Sequence, residues 1–146
     1  MHDQYSLFME YLQNDEKLLS LLAENKPFWN KNLPSKNKYS ILPADKIYKG
    51  LKTPFISVQI TNESLIDTKL TNVFLSVRCY NEPDKTYVTI NNVLSRVKVI
   101  LHNHRFAQYA DNAISVNSIY ESTGGELNDQ PFDLNFRESQ YRISYL

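Results

Sequence analysis

The clearest secondary-structure pattern in this sequence lies in residues 73–101, VFLSVRCYNEPDKTYVTINNVLSRVKVIL. Its first part has the period of two of a strand, with one apolar face formed by Val73, Leu75, Val77 and Cys79. A turn around Pro83 follows. From Asp84 onward, apolar residues recur at intervals of three and four, namely Tyr87, Ile90, Leu94, Val97 and Leu101. The pattern predicts a strand followed by an amphipathic helix, from Asp84 to Leu101, that packs its apolar stripe on a sheet.

Further strands are predicted on either side of this stretch. One opens at Pro54 and is joined through NESLID to the strand from Lys69 to Tyr80. Its apolar face is formed by Ile56, Val58 and Ile60. Two more strands span Ala113 to Tyr120 and Phe132 to Leu146. In the last strand the apolar positions change from even to odd numbers, which predicts a bulge or break between Glu138 and Gln140.

The N-terminal residues predict helix. Asp3 can cap one helix, and Asn14 or Asp15 can cap a second, so this segment is either one kinked helix or two short ones. The pattern ends at Asn25, because a proline follows two residues later. We therefore predict a single α+β domain over residues 1–146. An antiparallel or mixed four-stranded sheet is covered on one face by an N-terminal helix and the central amphipathic helix.

A long basic loop is predicted at residues 26–45. Prolines, asparagines, serines and lysines fill it without helical or strand periodicity. Loops of about 20 structureless residues are uncommon inside compact domains and tend to be functional or flexible. A pure linker gains nothing from large aromatic residues, so this loop is a candidate contact arm. The candidate subunit interface consists of Trp29, Lys31, Lys36, Lys38 and Tyr39.

Charge is balanced over the chain but segregated along it. Sixteen basic and sixteen acidic residues cancel, so neither nucleic acid nor an anionic membrane is the default partner. Residues 1–25 carry five acids and one lysine (−4), residues 26–52 seven lysines and one acid (+6), and residues 111–146 six acids and two arginines (−4). Either these charges are simply solvated and have no function, or they indicate a subunit that contacts copies of itself. No signal peptide or membrane-spanning stretch is visible, which predicts a protein made in a cytoplasm.

The sequence predicts no catalytic, cofactor-binding or metal site. The tripeptide His102-Asn103-His104 has no carboxylate or cysteine at metal-ligand spacing, and favours a polar helix C-terminus that suits the helix dipole. Cys79 lies within a strand pattern, which indicates a small buried hydrophobe. The sequence contains no G-x-S-x-G elbow, and its three glycines form no phosphate-binding loop.

Several segments resemble the tail-terminator or tail-completion proteins of long-tailed bacteriophages. NDEKLLSLLAE is similar to the opening helical turn of that family, and DKIYKGLKTPFISVQI to its basic-aromatic segment, proline and first core strand. VFLSVRCYNEPDKTYVTINNVLSRVKVIL resembles its strand, turn and long amphipathic helix, and FRESQYRISYL its final strand. These segments cover most of the chain, although the basic loop is longer than is typical for the family.

The resemblance implies a small α+β virion protein at the head-proximal end of the tail, assembled in the host cytoplasm. It implies a ring, usually of six subunits, that binds the tail-tube protein, stops polymerisation and presents a surface to the head–tail connector protein. Members of the family carry no catalytic residues and need no cofactor.

Two alternatives remain open from the sequence. Another head–tail connector (neck) adaptor protein would have a similar size and composition but a different partner. A small enzyme or nucleic-acid-binding module is the other class, since the lysine-rich loop with Trp29 and Tyr39 could contact a single strand by stacking and charge. Zero net charge favours a protein contact over specific binding of nucleic acid.

Overall fold

The computed structural model describes residues 8, 11–22, 40–47, 49–64, 71–109 and 114–145. The elements whose bounds the structure describes are two α-helices, a short 3₁₀ helix and seven strands. In chain order they are α1 (Glu16–Leu21), β1 (Ile41–Pro43), the 3₁₀ helix (Ala44–Lys46), β2 (Phe55–Ser64), β3 (Thr71–Asn81), α2 (Tyr87–Leu101), β4 (His104–Tyr109), β5 (Ile114–Thr123), β6 (Leu127–Asp129) and β7 (Leu134–Tyr145).

All seven strands belong to one mixed sheet. They pair in the order β1-β2-β3-β7-β5-β4, and β6 adds to β7. The β1–β2 pairing is parallel and the other pairings are antiparallel. The fold is therefore α+β with a mixed sheet, as predicted. The prediction of four strands is wrong, since the sheet has seven. The missed strands are β1, β4 and β6, which have only three to six residues and display no clear periodicity.

The C-terminal part of the predicted basic loop is also ordered as secondary structure. Strand β1 lies beside β2, and the amide of Ile56 donates a hydrogen bond of 2.8 Å to the carbonyl oxygen of Ser40. The prediction of a structureless segment is therefore wrong for residues 41–45, whereas residues 26–39 lie outside the described residues. A parallel partner is distant in sequence, so local composition carried no sign of this pairing.

The register of β2 on β3 assembles one apolar face. Ile56 lies opposite Cys79, and Val58 opposite Val77. Because paired residues share a face, these side chains form a continuous surface, which we call the helix face. Tyr141 and Ile143 of β7 extend it, and both are buried.

Helix α2 is buried along one stripe. It starts at Tyr87 with Thr86 as N-cap, three residues later than predicted. Its buried residues pack in one cluster with the helix face and with α1; they are Ile90, Val93, Leu94, Val97 and Leu101. The predicted stripe is wrong at Tyr87, which is 57% exposed. Tyr87 is the first helical residue, and side chains lean towards the N-terminus of a helix, here away from the turns that pack on the sheet.

The N-terminal segment contains two short helical pieces in the described part. Residues 11–13 are helical, and α1 follows with Asp15 as its N-cap. The Asp15 Oδ1 accepts a hydrogen bond of 2.8 Å from the amide of Leu18. Leu22 is the C-cap in an extended conformation, so α1 ends before the predicted limit of Asn25. Leu12, Leu18, Leu19 and Leu22 belong to the main core cluster.

Strand β7 has no bulge, although its apolar residues change parity. It pairs with β3 without a register shift from Asn135 to Ile143. The parity changes because Phe136 faces the opposite side of the sheet, where it joins a second cluster with Leu42, Leu51, Phe55 and Tyr80. The irregularity lies instead in β5, between Tyr120 and Ser122, opposite Tyr141 and Gln140. The prediction of a break within β7 is therefore wrong.

Candidate interaction surface

The candidate interface residues Trp29, Lys31, Lys36, Lys38 and Tyr39 lie outside the described residues. Two regions stand out among the described residues: the sheet face opposite α2, which we call the distal face, and the outward side of α2.

The distal face is covered at one end only, within the described residues. The second apolar cluster fills that end, where the Tyr80 ring stacks on Phe55 at 4.9 Å between centroids and lies 5.1 Å from Phe136. Ala44, Ile47 and Phe132 line a small cleft of about 150 Å³ above the neighbouring strand residues. Beyond this cleft the strands present polar and charged side chains.

Arg78 lies on the distal face and is held by a salt bridge, a hydrogen bond and a cation–π contact. Its Nε donates a hydrogen bond of 2.9 Å to Glu138 Oε1, and its guanidinium carbon lies 4.5 Å from the centroid of the Phe136 ring. Burial alone would lower the pKa of Arg78, but its hydrogen bonds with Tyr80 and Glu138 outweigh this and raise it. This arginine is fixed to the sheet rather than free to reach a partner.

A second ion pair continues the distal face towards β5. Arg142 Nε lies 3.2 Å from Glu121 Oε1, and both side chains are more than a third exposed. Gln140 lies between the two pairs and its Nε2 is 3.4 Å from Glu138 Oε2. Acidic and basic groups thus alternate across β3, β7 and β5. Such a surface suits a protein partner with matching charges better than a polyanion.

The outward side of α2 is almost uncharged. Three large apolar side chains are exposed there, Tyr87 by 57%, Val88 by 61% and Val99 by 68%. Exposed polar residues between them are Asn91, Asn92 and Ser95, and Lys98 is the charged residue of this side. A helix face with exposed apolar residues and few charges is the composition expected of a protein-contact surface.

The candidate interface predicted from the sequence includes none of these residues, although the strand pattern carries a signal for the distal face. Arg78 of β3 and Glu138 and Gln140 of β7 are partly exposed, whereas the neighbouring strand positions are buried, namely Val77, Cys79, Ser139 and Tyr141. That alternation indicates a solvent-facing side of a sheet. The pairing of Arg78 with Glu138, 60 residues apart, depends on the register of β3 and β7 and could not be read locally.

The tripeptide at residues 102–104 has a local structural role. Helix α2 ends at Leu101, Asn103 has a positive φ of 54°, and the chain then enters β4. The helix therefore ends at Leu101, as predicted, and His102 is its C-cap. The His102 Nδ1 accepts a hydrogen bond of 3.1 Å from the backbone amide of Tyr120, which ties the turn to β5.

Reactive and metal-binding side chains give no sign of a catalytic or metal site in the described part of the chain. Cys79 is fully buried, and this burial raises the pKa of its thiol, so it stays protonated. Among the described residues, no three metal-binding side chains come together in one place. No helix within that part of the chain is long and apolar enough to span a membrane.

Comparison with known proteins gives a structural likeness without a sequence relative. No protein-family model matches the chain, and no curated protein matches it. A chain in a solved structure described as "Virion of native gene transfer agent (GTA) particle" shares 10% sequence identity and superposes with a TM-score of 0.64. The match covers 94% of this chain and 90% of that one. At this identity the likeness concerns the fold, so the chain shares its fold, over nearly its full length, with a chain of a virion structure.

Proposed function

We propose that this chain is a structural virion protein and acts as a tail-terminator subunit, forming a ring on the head-proximal end of a tail tube. The observation that carries the proposal is the fold likeness to a chain of a gene transfer agent virion, over 94% of this chain and 90% of that one. A fold alone does not specify a function. The terminator role therefore rests in addition on the resemblance of the sequence segments to that phage protein family.

The surfaces of the described residues support a role in contact rather than catalysis. The distal face carries alternating ion pairs, and α2 exposes apolar side chains on a side with few charges. A ring subunit needs two different surfaces for its neighbours and others for the tube and the connector. The partners of the proposal are copies of the chain itself, six in number, the tail-tube protein and the head–tail connector protein.

Deletion of the gene, followed by electron microscopy of the particles, tests the role directly. Without a terminator nothing stops the growing tube, so we expect tails of uncontrolled length that do not join heads. Tails of normal length that fail to join heads would instead identify a connector adaptor. Normal particles would show that the chain is not required for tail assembly.

Light scattering of the purified full-length chain tests the ring. We expect a species of about 103 kDa, which is six times the subunit mass of 17.1 kDa. A 17.1 kDa species at every concentration would contradict self-assembly of the free protein.

A further inference from the structure

A cleft between α2 and the adjoining ends of β5 and β7 combines two cations with neutral polar groups. Its volume is about 210 Å³, and its lining residues are Asn91, Leu94, Ser95, Lys98, Tyr120, Thr123 and Arg137. None of these side chains is acidic. The cleft lies on the same side of the sheet as α2, because Arg137 pairs with Cys79 on the helix face.

Neutral groups hold Arg137 in place. Its Nε donates a hydrogen bond of 2.9 Å to the carbonyl oxygen of Gly124, and its Nη1 donates one to Asn91 Oδ1. Since both acceptors are uncharged, the guanidinium is oriented without being neutralised.

Lys98 is oriented by an aromatic ring. Its Nζ lies 4.0 Å from the centroid of Tyr120. That ring is fixed in turn, because the Tyr120 hydroxyl is 2.6 Å from Thr123 Oγ1, which is 2.8 Å from Ser139 Oγ. The cleft is therefore organised before any ligand arrives, which lowers the ordering cost of binding.

The charge of these two residues is unbalanced within the described part of the chain. Arg78, Arg96 and Arg142 each form a salt bridge with a carboxylate there. Lys98 and Arg137 form none with any described residue, although the whole chain carries as many acids as bases. An anion in the cleft would give Lys98 and Arg137 the neutralising partner that Arg78, Arg96 and Arg142 have.

We propose that this cleft binds a carboxylate side chain of a second copy of the chain. The proposal deepens the ring function proposed above and rests on it. Two cations in a space of about 210 Å³ suit one carboxylate, whereas a nucleic acid needs a longer row of cations and free aromatic faces. The face of Tyr120 is occupied by Lys98.

Charge complementarity favours a second copy as the source of the carboxylate. The described part of the chain also contains exposed acids that could meet these cations on another copy. Glu82 and Asp84 are such acids, because both are exposed and form no salt bridge among the described residues. One copy can thus supply what the cleft of another lacks.

The first test is assembly of a cleft variant, Lys98→Gln with Arg137→Gln, measured by light scattering of the full-length protein. We expect the dissociation constant between subunits to rise by about tenfold or more, while thermal unfolding still shows a folded subunit. The matched control is Lys17→Gln with Lys85→Gln, two exposed lysines outside both the cleft and the basic segment, which should assemble like the original protein.

The second test identifies the group in the cleft. Rings assembled from a mixture of ¹⁵N-labelled and unlabelled chains are treated with a carbodiimide, which joins an amine to a carboxylate in direct contact. Mass spectrometry should find Lys98 joined to an acidic residue of another copy. Rings that form without this link, or a cleft variant that assembles as tightly as the control, would overturn the carboxylate contact and leave the ring standing.

Two further outcomes have defined meanings. If the original protein stays monomeric, the ring and the contact fail together. If an oligonucleotide of twelve thymidine nucleotides binds the original protein but not the cleft variant, the ligand of the cleft is phosphate and the carboxylate proposal is wrong.

Discussion

Arg96 donates two hydrogen bonds to Asp15, from Nε to Oδ1 at 3.0 Å and from Nη2 to Oδ2 at 2.6 Å, and the two residues are 81 positions apart in the sequence. The same carboxylate caps α1 through the amide of Leu18. One side chain thus starts α1 and ties it to α2. A bidentate pair of this kind fixes geometry as well as charge.

Replacing Asp15 by Ala should lower the free energy of unfolding by about 0.5–2 kcal/mol, the usual cost of a lost N-cap. Asp15→Asn keeps an oxygen for the cap but loses the charge that faces Arg96, so its effect should be smaller. Urea denaturation of both variants measures the difference. Equal loss in the two variants would mean that the cap contributes nothing of its own.

The same pair predicts a dependence of stability on pH. The hydrogen bonds from Arg96 hold the pKa of Asp15 below its usual value of 3.8, with the Leu18 amide acting in the same direction. A lowered pKa in the folded state contributes stability above pH 3.8, and that stability is lost as pH falls towards the folded value. The difference in unfolding free energy between the original protein and Asp15→Asn should therefore be constant near neutrality and shrink below about pH 4. A difference that stays constant down to pH 2 would contradict the pairing.

The phase of α2 can be tested with two aliphatic truncations. Leu94 is 5% exposed and lies in the main core, so Leu94→Ala should lower the free energy of unfolding by about 2–5 kcal/mol. Val99 is 68% exposed on the same helix, and Val99→Ala should change it by at most about 0.5 kcal/mol. Chemical denaturation gives both values. Similar losses in the two variants would require a different rotation of the helix.

Tyr141 carries a buried hydroxyl that has no hydrogen-bond partner among the described residues. Burial, together with the nearby Tyr120, raises the pKa of this phenol. An unpaired buried hydroxyl costs about 1–3 kcal/mol, so its removal should be neutral or favourable. We expect Tyr141→Phe to leave the free energy of unfolding unchanged or raise it by about 1 kcal/mol. A clear loss in thermal denaturation would reveal a hydrogen bond to this hydroxyl.

The basic segment at residues 26–52 gives a prediction from sequence alone. If it faces an acidic segment of a neighbouring copy, reversal of Lys31, Lys36 and Lys38 to Glu should weaken assembly. The weakening should be greater at low salt than at high salt, because salt screens exposed charges. Light scattering across salt concentrations measures it. Unchanged rings would exclude the charged loop contact without touching the contact proposed for Lys98.

Local patterns in the sequence were sufficient for the elements that repeat a period over many residues. Helix α2 and strands β2, β3 and β7 could be predicted, because burial of one face imposes the period on each element separately. The second N-terminal cap could be narrowed to Asn14 or Asp15. Balanced charge and the lack of a nucleophile or metal-ligand motif directed attention to protein contacts. None of this depends on which strands are neighbours.

Which strands and side chains are neighbours was decided only by the tertiary structure. Strand β1 exists because β2, which begins 12 residues after β1 ends, supplies a parallel partner. Strands β4 and β6 each pair with the next strand in the chain, and their three to six residues are too few to show a periodic pattern by themselves. The parity change of β7 needed a second apolar cluster behind the sheet, where Phe136 meets Tyr80. The cleft with Lys98 and Arg137 arises from a helix and a strand almost 40 residues apart in the chain, and its charge is unbalanced because tertiary packing places both cations where no described carboxylate reaches them.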